Sequence, residues 1–357
     1  MKLLIVIPTL QKGGAERVVS VLTSEWLKNN DVKVLVFDKK NVSYDINAEI
    51  IDLKLPALNG IFLKAVQLFR RTTSLLKFFK KDKPDRIISF MESANFPSLI
   101  AAYLSKKLEI IWVTCHVELS LLTKIQYLLI PYIYKHAKKI ITVSKGLRDE
   151  LIKMGIKKEK LKVIYNPLST FAPVKDKFLP KPLKAPQKYI LGVGRLDYQK
   201  GFDILIDAFK KIEDKSLHLV ILGEGDEKKN LLKIIKNKKL SDRVHLIGVV
   251  EDIWPWYRFA ECFVLSSRSE PFGLVMIEAM SQGCPVVAFD CNYGPREIIT
   301  HKKNGLLVKK NNSERLFRSI KKLLLDNNLR NKLIFNGALK SYSFEAKILS
   351  KLWLIDD

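Results

Sequence analysis

Glu270 and Glu278 stand eight positions apart in the run Ser269-Glu270-Pro271-Phe272-Gly273-Leu274-Val275-Met276-Ile277-Glu278. An apolar strand, Cys262 to Leu265, leads into it, and a helix pattern begins at Leu274. Glu270 therefore falls in a loop and Glu278 about a turn into the helix, so both carboxylates can face one ligand site. The free N–H groups of the helix start lie between them. Carboxylates suit vicinal sugar hydroxyls, because each oxygen accepts its own O–H bond. Two such acids equally suit the acid and base of a hydrolase. The plain structural alternative is one capping acid and one solvated helix acid.

Two cations form a second group. Arg195 and Lys200 sit five positions apart in Gly194-Arg195-Leu196-Asp197-Tyr198-Gln199-Lys200-Gly201, directly after the strand Tyr189 to Val193. A guanidinium grips a phosphate through two N–H groups, and a lysine adds a compact charge. A pyrophosphate needs such neutralisation where no metal supplies it. Ordinary solvated charge is the competing explanation. A third group, Gly13-Gly14-Ala15-Glu16-Arg17, follows the first strand and lets backbone N–H groups approach an anion at a helix start. His116 follows the strand Ile110 to Thr114, where it could bond a sugar hydroxyl or handle a proton, or serve only structure.

All these residues follow strands, and the strands recur. Leu3 to Pro8, Val32 to Asp38, Arg86 to Phe90, Ile110 to Thr114 and Lys139 to Ser144 are apolar runs separated by helical stretches. Tyr189 to Val193, Leu217 to Leu222, Val244 to Ile247, Cys262 to Leu265 and Val286 to Phe289 repeat the scheme. Helix patterns cover Ala15 to Lys28, Phe202 to Ile212, Glu227 to Lys238, Leu274 to Gln282 and Glu314 to Leu325. Apolar strands alternating with helices indicate α/β architecture with doubly wound parallel sheets, which place ligands at the carboxyl ends of their strands. Residues 1–168 form one domain and 187–340 the other, joined by a proline-rich linker over 169–186. In the tail, 341–357, Phe344, Ile348, Leu352 and Ile355 keep helical spacing, as in a closing helix that packs back on the first domain.

The chain has 357 residues, and its 47% hydrophobic and 28% charged content excludes disordered and collagen-like classes. Sixty-two Lys and Arg against 37 Asp and Glu leave a formal charge of +25, which calls for an anionic partner. Cys115, Cys262, Cys284 and Cys291 are scattered, with no CxxC pair, so reduced cytosolic thiols are expected and zinc is not. There is no signal-peptide pattern, and the longest apolar candidate, Ile125 to Tyr134, is about half a membrane span and is bounded by lysines.

Taken together, these residues resemble the retaining glycosyltransferases of family 4, whose GT-B fold sets two Rossmann-like doubly wound domains across a cleft. The resemblance rests on Gly13-Gly14-Ala15-Glu16-Arg17, on Gly192-Val193-Gly194-Arg195-Leu196 with Lys200-Gly201, and on Glu270 to Glu278 as the E-x7-E signature. It continues through Gly294-Pro295-Arg296-Glu297-Ile298-Ile299 into Asn304-Gly305-Leu306-Leu307-Val308. The resemblance implies a nucleotide-sugar donor held mainly by the second domain. Arg195 and Lys200 would hold its diphosphate, Glu278 the ribose and Glu270 the transferred sugar. The backbone over Phe272, Gly273, Leu274 and Val275 would touch sugar or phosphate. Gly14 would abut the donor from the first domain, and Val250, after a strand, would lie near the base. His116, Glu270, Arg195 and Lys200 are thus the expected catalytic set. No DxD triplet occurs, so neither a metal nor another cofactor is expected. Retention would come from same-face displacement without a protein nucleophile. The block Asp290 to Glu297 looks like members that use UDP-linked hexoses or N-acetylhexosamines.

The acceptor side is read from Lys64 to Lys83, a basic amphipathic stretch with Arg70, Arg71, Lys77, Lys80 and Lys81 among interleaved apolar residues. It suits an anionic bilayer or a lipid diphosphate, or is simply a packed helix with a solvated face. Relatives of this type extend polyprenyl-diphosphate glycans for O-antigen, lipopolysaccharide, capsule or protein glycans. The expectation is a cytoplasmic protein, peripheral on the inner face of the cytoplasmic membrane, with a lipid-linked acceptor. Three alternatives compete. A GT-B UDP-sugar epimerase would need no acceptor. A nicotinamide oxidoreductase is suggested by Gly13-Gly14 and Asp38, but GxGxxG is missing. Nucleic-acid binding is suggested only by charge, with no recognition motif, so no nucleic-acid partner is expected.

Overall fold

The structure is a computed structural model that describes residues 1–11, 13–58, 60–116, 123–168 and 181–355. The linker expected at 169–186 lies mostly outside them. The chain divides into two compact units, Met1–Ser169 with Ala346–Asp357, and Thr170–Glu345.

The first unit runs β1 (Lys2–Ile7), α1 (Gly14–Trp26), β2 (Asp31–Val36), β3 (Glu49–Asp52), α2 (Ile61–Lys81), β4 (Arg86–Phe90), α3 (Glu92–Leu104), β5 (Ile111–Cys115), α4 (Lys124–Tyr134), β6 (Lys139–Thr142), α5 (Lys145–Lys153) and β7 (Leu161–Val163). The second runs β8 (Lys188–Val193), α6 (Phe202–Lys210), β9 (Leu217–Leu222), α7 (Lys228–Asn237), β10 (Val244–Gly248), α8 (Trp254–Arg258), β11 (Cys262–Leu265), α9 (Leu274–Ser281), β12 (Val286–Asp290), α10 (Pro295–Ile298), β13 (Leu306–Lys309), α11 (Ser313–Leu325) and α12 (Asn327–Tyr342). The last helix, α13 (Ala346–Leu352), belongs to the first unit.

Among the described residues the strand orders are β3-β2-β1-β4-β5-β6-β7 and β10-β9-β8-β11-β12-β13, all parallel. Runs such as Leu3–Ile7 and Ile190–Leu191 are buried, as both faces of a helix-covered parallel sheet require. In each sheet the order reverses once, at β1/β4 and at β8/β11. Chains leaving adjacent strands in opposite directions open a crevice there, where such sheets bind ligands.

Three strands had no clear sequence signal: β3, β7 and β13. All are sheet edges, short and only partly buried, so no continuous apolar run marks them. The tail needs a correction. Ile348, Leu352 and Ile355 are exposed, and Phe344 is buried in the second unit against Phe272. The helix docks instead through Leu349 and Trp353. Trp353 stacks on Phe90 with centroids 5.5 Å apart, and Trp26 Nε1 donates to Ser350 O at 3.0 Å. Trp353 lies just past the helix and outside the expected apolar stripe. The four cysteines are unbridged and buried.

Candidate functional site

In the second unit the β8/β11 switch point gathers the strongest group. After β8 the Asp197 carboxylate accepts from Lys200 N at 3.1 Å and closes a tight turn. Gly201 then takes φ +62°, a left-handed conformation, and a Cβ there would meet Ser266 O at 2.2 Å. Glycine thus lets the β8–α6 and β11–α9 loops touch. Ser266 Oγ donates to Lys200 O at 2.9 Å, and Arg268 N donates to Gln199 O at 2.8 Å. The Arg268 guanidinium donates to both Asp203 oxygens, at 2.9 and 2.6 Å, and covers the Tyr198 ring at 3.8 Å.

These contacts hold the Lys200 ammonium 2.7 Å from Glu270 Oε2, with side-chain exposures of 18% and 10%. Ser267 Oγ donates to the same oxygen at 3.3 Å. Lys200 and Glu270, expected to hold different parts of a ligand, are here each other's partner. From the other side, Gly294 N donates to Glu270 O at 3.0 Å. The Cys291 thiol lies near the pair, and burial, reinforced by Glu270, pushes it up to about 12. A Cβ on Gly294 would meet Phe272 O at 2.1 Å. Gly294→Ala should therefore cost about 1–3 kcal/mol by overpacking, read as a lower melting temperature. An unchanged melting temperature would show that this loop gives way.

Glu278 is the other half of the signature, and it is not a solvated acid. It is 1% exposed, and the Tyr257 hydroxyl donates to Oε2 at 2.8 Å. Arg195 is largely exposed and lies 3.3 Å from Asp197. Leu274 and Val275 are half-buried at the start of α9, whose N-cap Gly273 is left-handed at φ 95°. Phe272 packs edge-on against Phe344, and Val250 is half-buried after β10. Arg268 and Tyr257 were not singled out by sequence. Their roles depend on Asp203 and Glu278, partners that spacing does not reveal.

In the first unit, Gly14 is exposed at the start of α1 with open space at its Cβ position. His116 follows β5. Its ring packs on Phe90 at 5.5 Å, while Nδ1 lies 3.1 Å from Thr114 Oγ1. Nε2 is buried, and burial lowers the imidazole to about 4, opposed by a hydrogen bond with the Asn166 side chain. Sequence reasoning missed Glu92. It follows β4, beside the β1/β4 switch point, behind Met91 at φ 72°. It is buried, its Oε1 has no partner among the described residues, and burial raises it to about 7. Its place just beyond a strand was the available signal.

The basic stretch forms α2. Arg70, Lys77, Lys80 and Lys81 are exposed, while Leu75 and Phe79 are buried. Arg71 is a correction: its guanidinium covers the Phe37 ring at 4.2 Å and donates to Leu55 O at 3.4 Å. It ties α2 to the core and leaves the basic face; burial lowers it to about 10.

Two family models match the sequence, "Glycosyltransferase Family 4" over residues 12–170 and "Glycosyl transferases group 1" over 174–340. The chain is 30% identical, over 98% of its length and 95% of the other, to the N-acetylgalactosamine-N,N'-diacetylbacillosaminyl-diphospho-undecaprenol 4-alpha-N-acetylgalactosaminyltransferase of Campylobacter jejuni. It is 26% identical to the amylovoran biosynthesis glycosyltransferase AmsD of Erwinia amylovora, over 99% of this chain and 98% of that one. Its fold matches that of Anabaena HepE, solved with UDP and glucose, at a TM-score of 0.81 and 21% identity, over 99% of this chain and 98% of that one.

Proposed function

We infer a sugar-transfer reaction from the premise that the chain belongs to the family 4 and group 1 glycosyltransferases. It is an enzyme of the glycosyltransferase class, with the GT-B fold. The reaction we propose moves a hexose or N-acetylhexosamine from a UDP-sugar to a lipid-linked or cell-surface glycan, with retention at the anomeric carbon. Transfer, not epimerisation, agrees with the relatives, which are transferases by name. The Campylobacter enzyme's name specifies an undecaprenyl-diphosphate acceptor, which favours a polyprenyl-diphosphate glycan here.

The carrying observation is the Lys200–Glu270 pair at the β8/β11 switch point. In the proposed cycle the donor diphosphate draws the Lys200 ammonium toward itself. Glu270 is then released to accept a bond from a sugar hydroxyl. Arg195, exposed beside the same loop, adds its two-pronged grip, and Glu278 takes the ribose with Tyr257 as its support. As the C1–O bond to the diphosphate breaks, its electron pair stays on the leaving oxygen. Lys200, Arg195 and the start of α9 stabilise that charge where it forms. The acceptor oxygen bonds C1 from the same face, and its proton passes to the leaving diphosphate. The cations are side chains and the sequence lacks a DxD triplet, so the proposed transfer runs without a divalent metal. The exposed lysines of α2 are proposed to face an anionic inner membrane leaflet.

The test is thermal unfolding with UDP, GDP or ADP, for wild type and Glu278→Gln. A ligand at a hundred times its Kd stabilises the native state by about 2.7 kcal/mol. UDP should raise the melting temperature of wild type and have little effect on the variant. A rise with GDP or ADP alone would change the donor. No rise with any nucleotide would refute the donor site.

A further inference from the structure

The longest apolar run of the sequence became α4, and the helix is apolar on the wrong side for a packed helix. Ile130 and Tyr134 are buried against the first unit. Ile125, Leu128, Leu129 and Tyr132, spaced i, i+3, i+4, i+7, form the opposite stripe, and it is open. Ile125, Leu128 and Tyr132 are 63%, 64% and 66% exposed. Tyr103 and Leu104, at the end of α3, are exposed as well. Between the two helices runs a groove of about 270 Å³, whose lining includes Leu99, Tyr103, Tyr132 and Ile133. A contiguous apolar patch of this kind marks an interaction site, since scattered single residues would need no partner.

The charge around it selects the partner. Residues 124–135 contain no acid, and Lys124 and Lys135 stand exposed at either end of α4. Lys135 Nζ lies 5.8 Å from the Tyr132 ring, a cation held at the edge of the apolar stripe. Lys106 is exposed nearby on the same unit, and Lys138 is exposed there too, 3.6 Å from the exposed Glu109 carboxylate. Apolar side chains framed by lysines, with tyrosines that are apolar in body and polar at the tip, fit the boundary between acyl chains and anionic headgroups. No described helix is long and apolar enough to cross a membrane. The 11-residue α4 can only lie in the surface.

We propose that α4, with the adjoining end of α3, is the element that seats the protein on an anionic bilayer, inserting Ile125, Leu128, Leu129 and Tyr132 among the acyl chains. It rests on the proposed membrane-linked acceptor, and it shifts the anchor from the lysines of α2 to an apolar stripe with a basic rim. The α2 lysines would then add charge attraction without insertion.

The experiment is co-sedimentation of the full chain with vesicles of phosphatidylcholine, with and without phosphatidylglycerol. Wild type should pellet with the anionic vesicles. The double variant Leu128→Glu/Leu129→Glu should partition about tenfold or more weakly, since two apolar contacts become two like charges. Both residues point outward, so its melting temperature should match wild type. Leu128→Trp should shift its emission to the blue on anionic vesicles and be quenched by lipids brominated in the chain. If the double variant pellets like wild type while Lys77→Glu/Lys80→Glu does not, the α4 anchor is wrong and membrane binding through α2 survives. If wild type pellets with neither vesicle, both ideas fall. If the double variant turns a dimer into a monomer and leaves vesicle binding unchanged, the stripe belongs to a second copy and the proposal is overturned. Sugar transfer to a detergent-dispersed acceptor separates all of these from a failure of the enzymatic reading.

Discussion

Replacing Lys200 with methionine lowers kcat/KM for sugar transfer by about 10²–10³-fold, the effect of removing one donor to a developing oxyanion. Most of the loss should fall on kcat, because in the proposed cycle the charge that Lys200 meets is largest as the diphosphate leaves. The same change also touches stability. Glu270 is only 10% exposed, and it would lose the ammonium 2.7 Å away. Breaking one side of a well-buried pair costs about 3–5 kcal/mol, a little less where solvent still reaches. The second variant separates the two effects. Lys200→Met/Glu270→Gln removes both charges, so the melting temperature should return toward wild type while the activity does not. Steady-state kinetics and thermal unfolding on the three proteins decide it. Recovery of activity in the double variant would show that Lys200 serves the fold alone.

The legible part of this molecule is what a residue's own neighbours determine. Arg86–Phe90 and Leu217–Leu222 stand out as strands because burial on both sheet faces demands an unbroken apolar run. β3 and β13 do not, because an edge strand is half in water and its sequence is mixed. The site divides the same way. That Lys200 and Glu270 each follow a strand could be seen from the chain. That they bond each other could not, because the contact spans 70 positions and exists only where β8 and β11 become neighbours. Arg71 shows the opposite error. A cation in a basic helix looks solvated until the fold sets Phe37 beneath it. Trp353 likewise sits just past α13, off the expected apolar period, and is nonetheless the residue that docks the helix. For α4 the composition was plain, but which side meets water was not.

Glu92 and His116 predict an acid response that wild type conceals. Burial raises Glu92 from 4.5 to about 7, so the folded state favours its protonated form. Its contribution is complete below pH 4.5 and is lost as pH rises through 7. Burial lowers His116 from 6.5 to about 4, so the folded state favours the neutral ring. Its contribution is complete above pH 6.5 and is lost as pH falls through 4. Each displacement is worth on the order of 3 kcal/mol. Between pH 4.5 and 6.5 the slopes oppose and largely cancel. The single variants should expose them. Glu92→Gln keeps the buried histidine, so its melting temperature should fall steeply from pH 6.5 to 4. His116→Gln keeps the buried carboxyl, so its melting temperature should fall from pH 4.5 to 7. The double variant should lack both slopes. Thermal unfolding of the four proteins across that range reads the result directly. Single variants that run parallel to wild type would mean that both side chains reach solvent when they titrate. Neither would then be a buried group awaiting a substrate hydroxyl at the ends of β4 and β5.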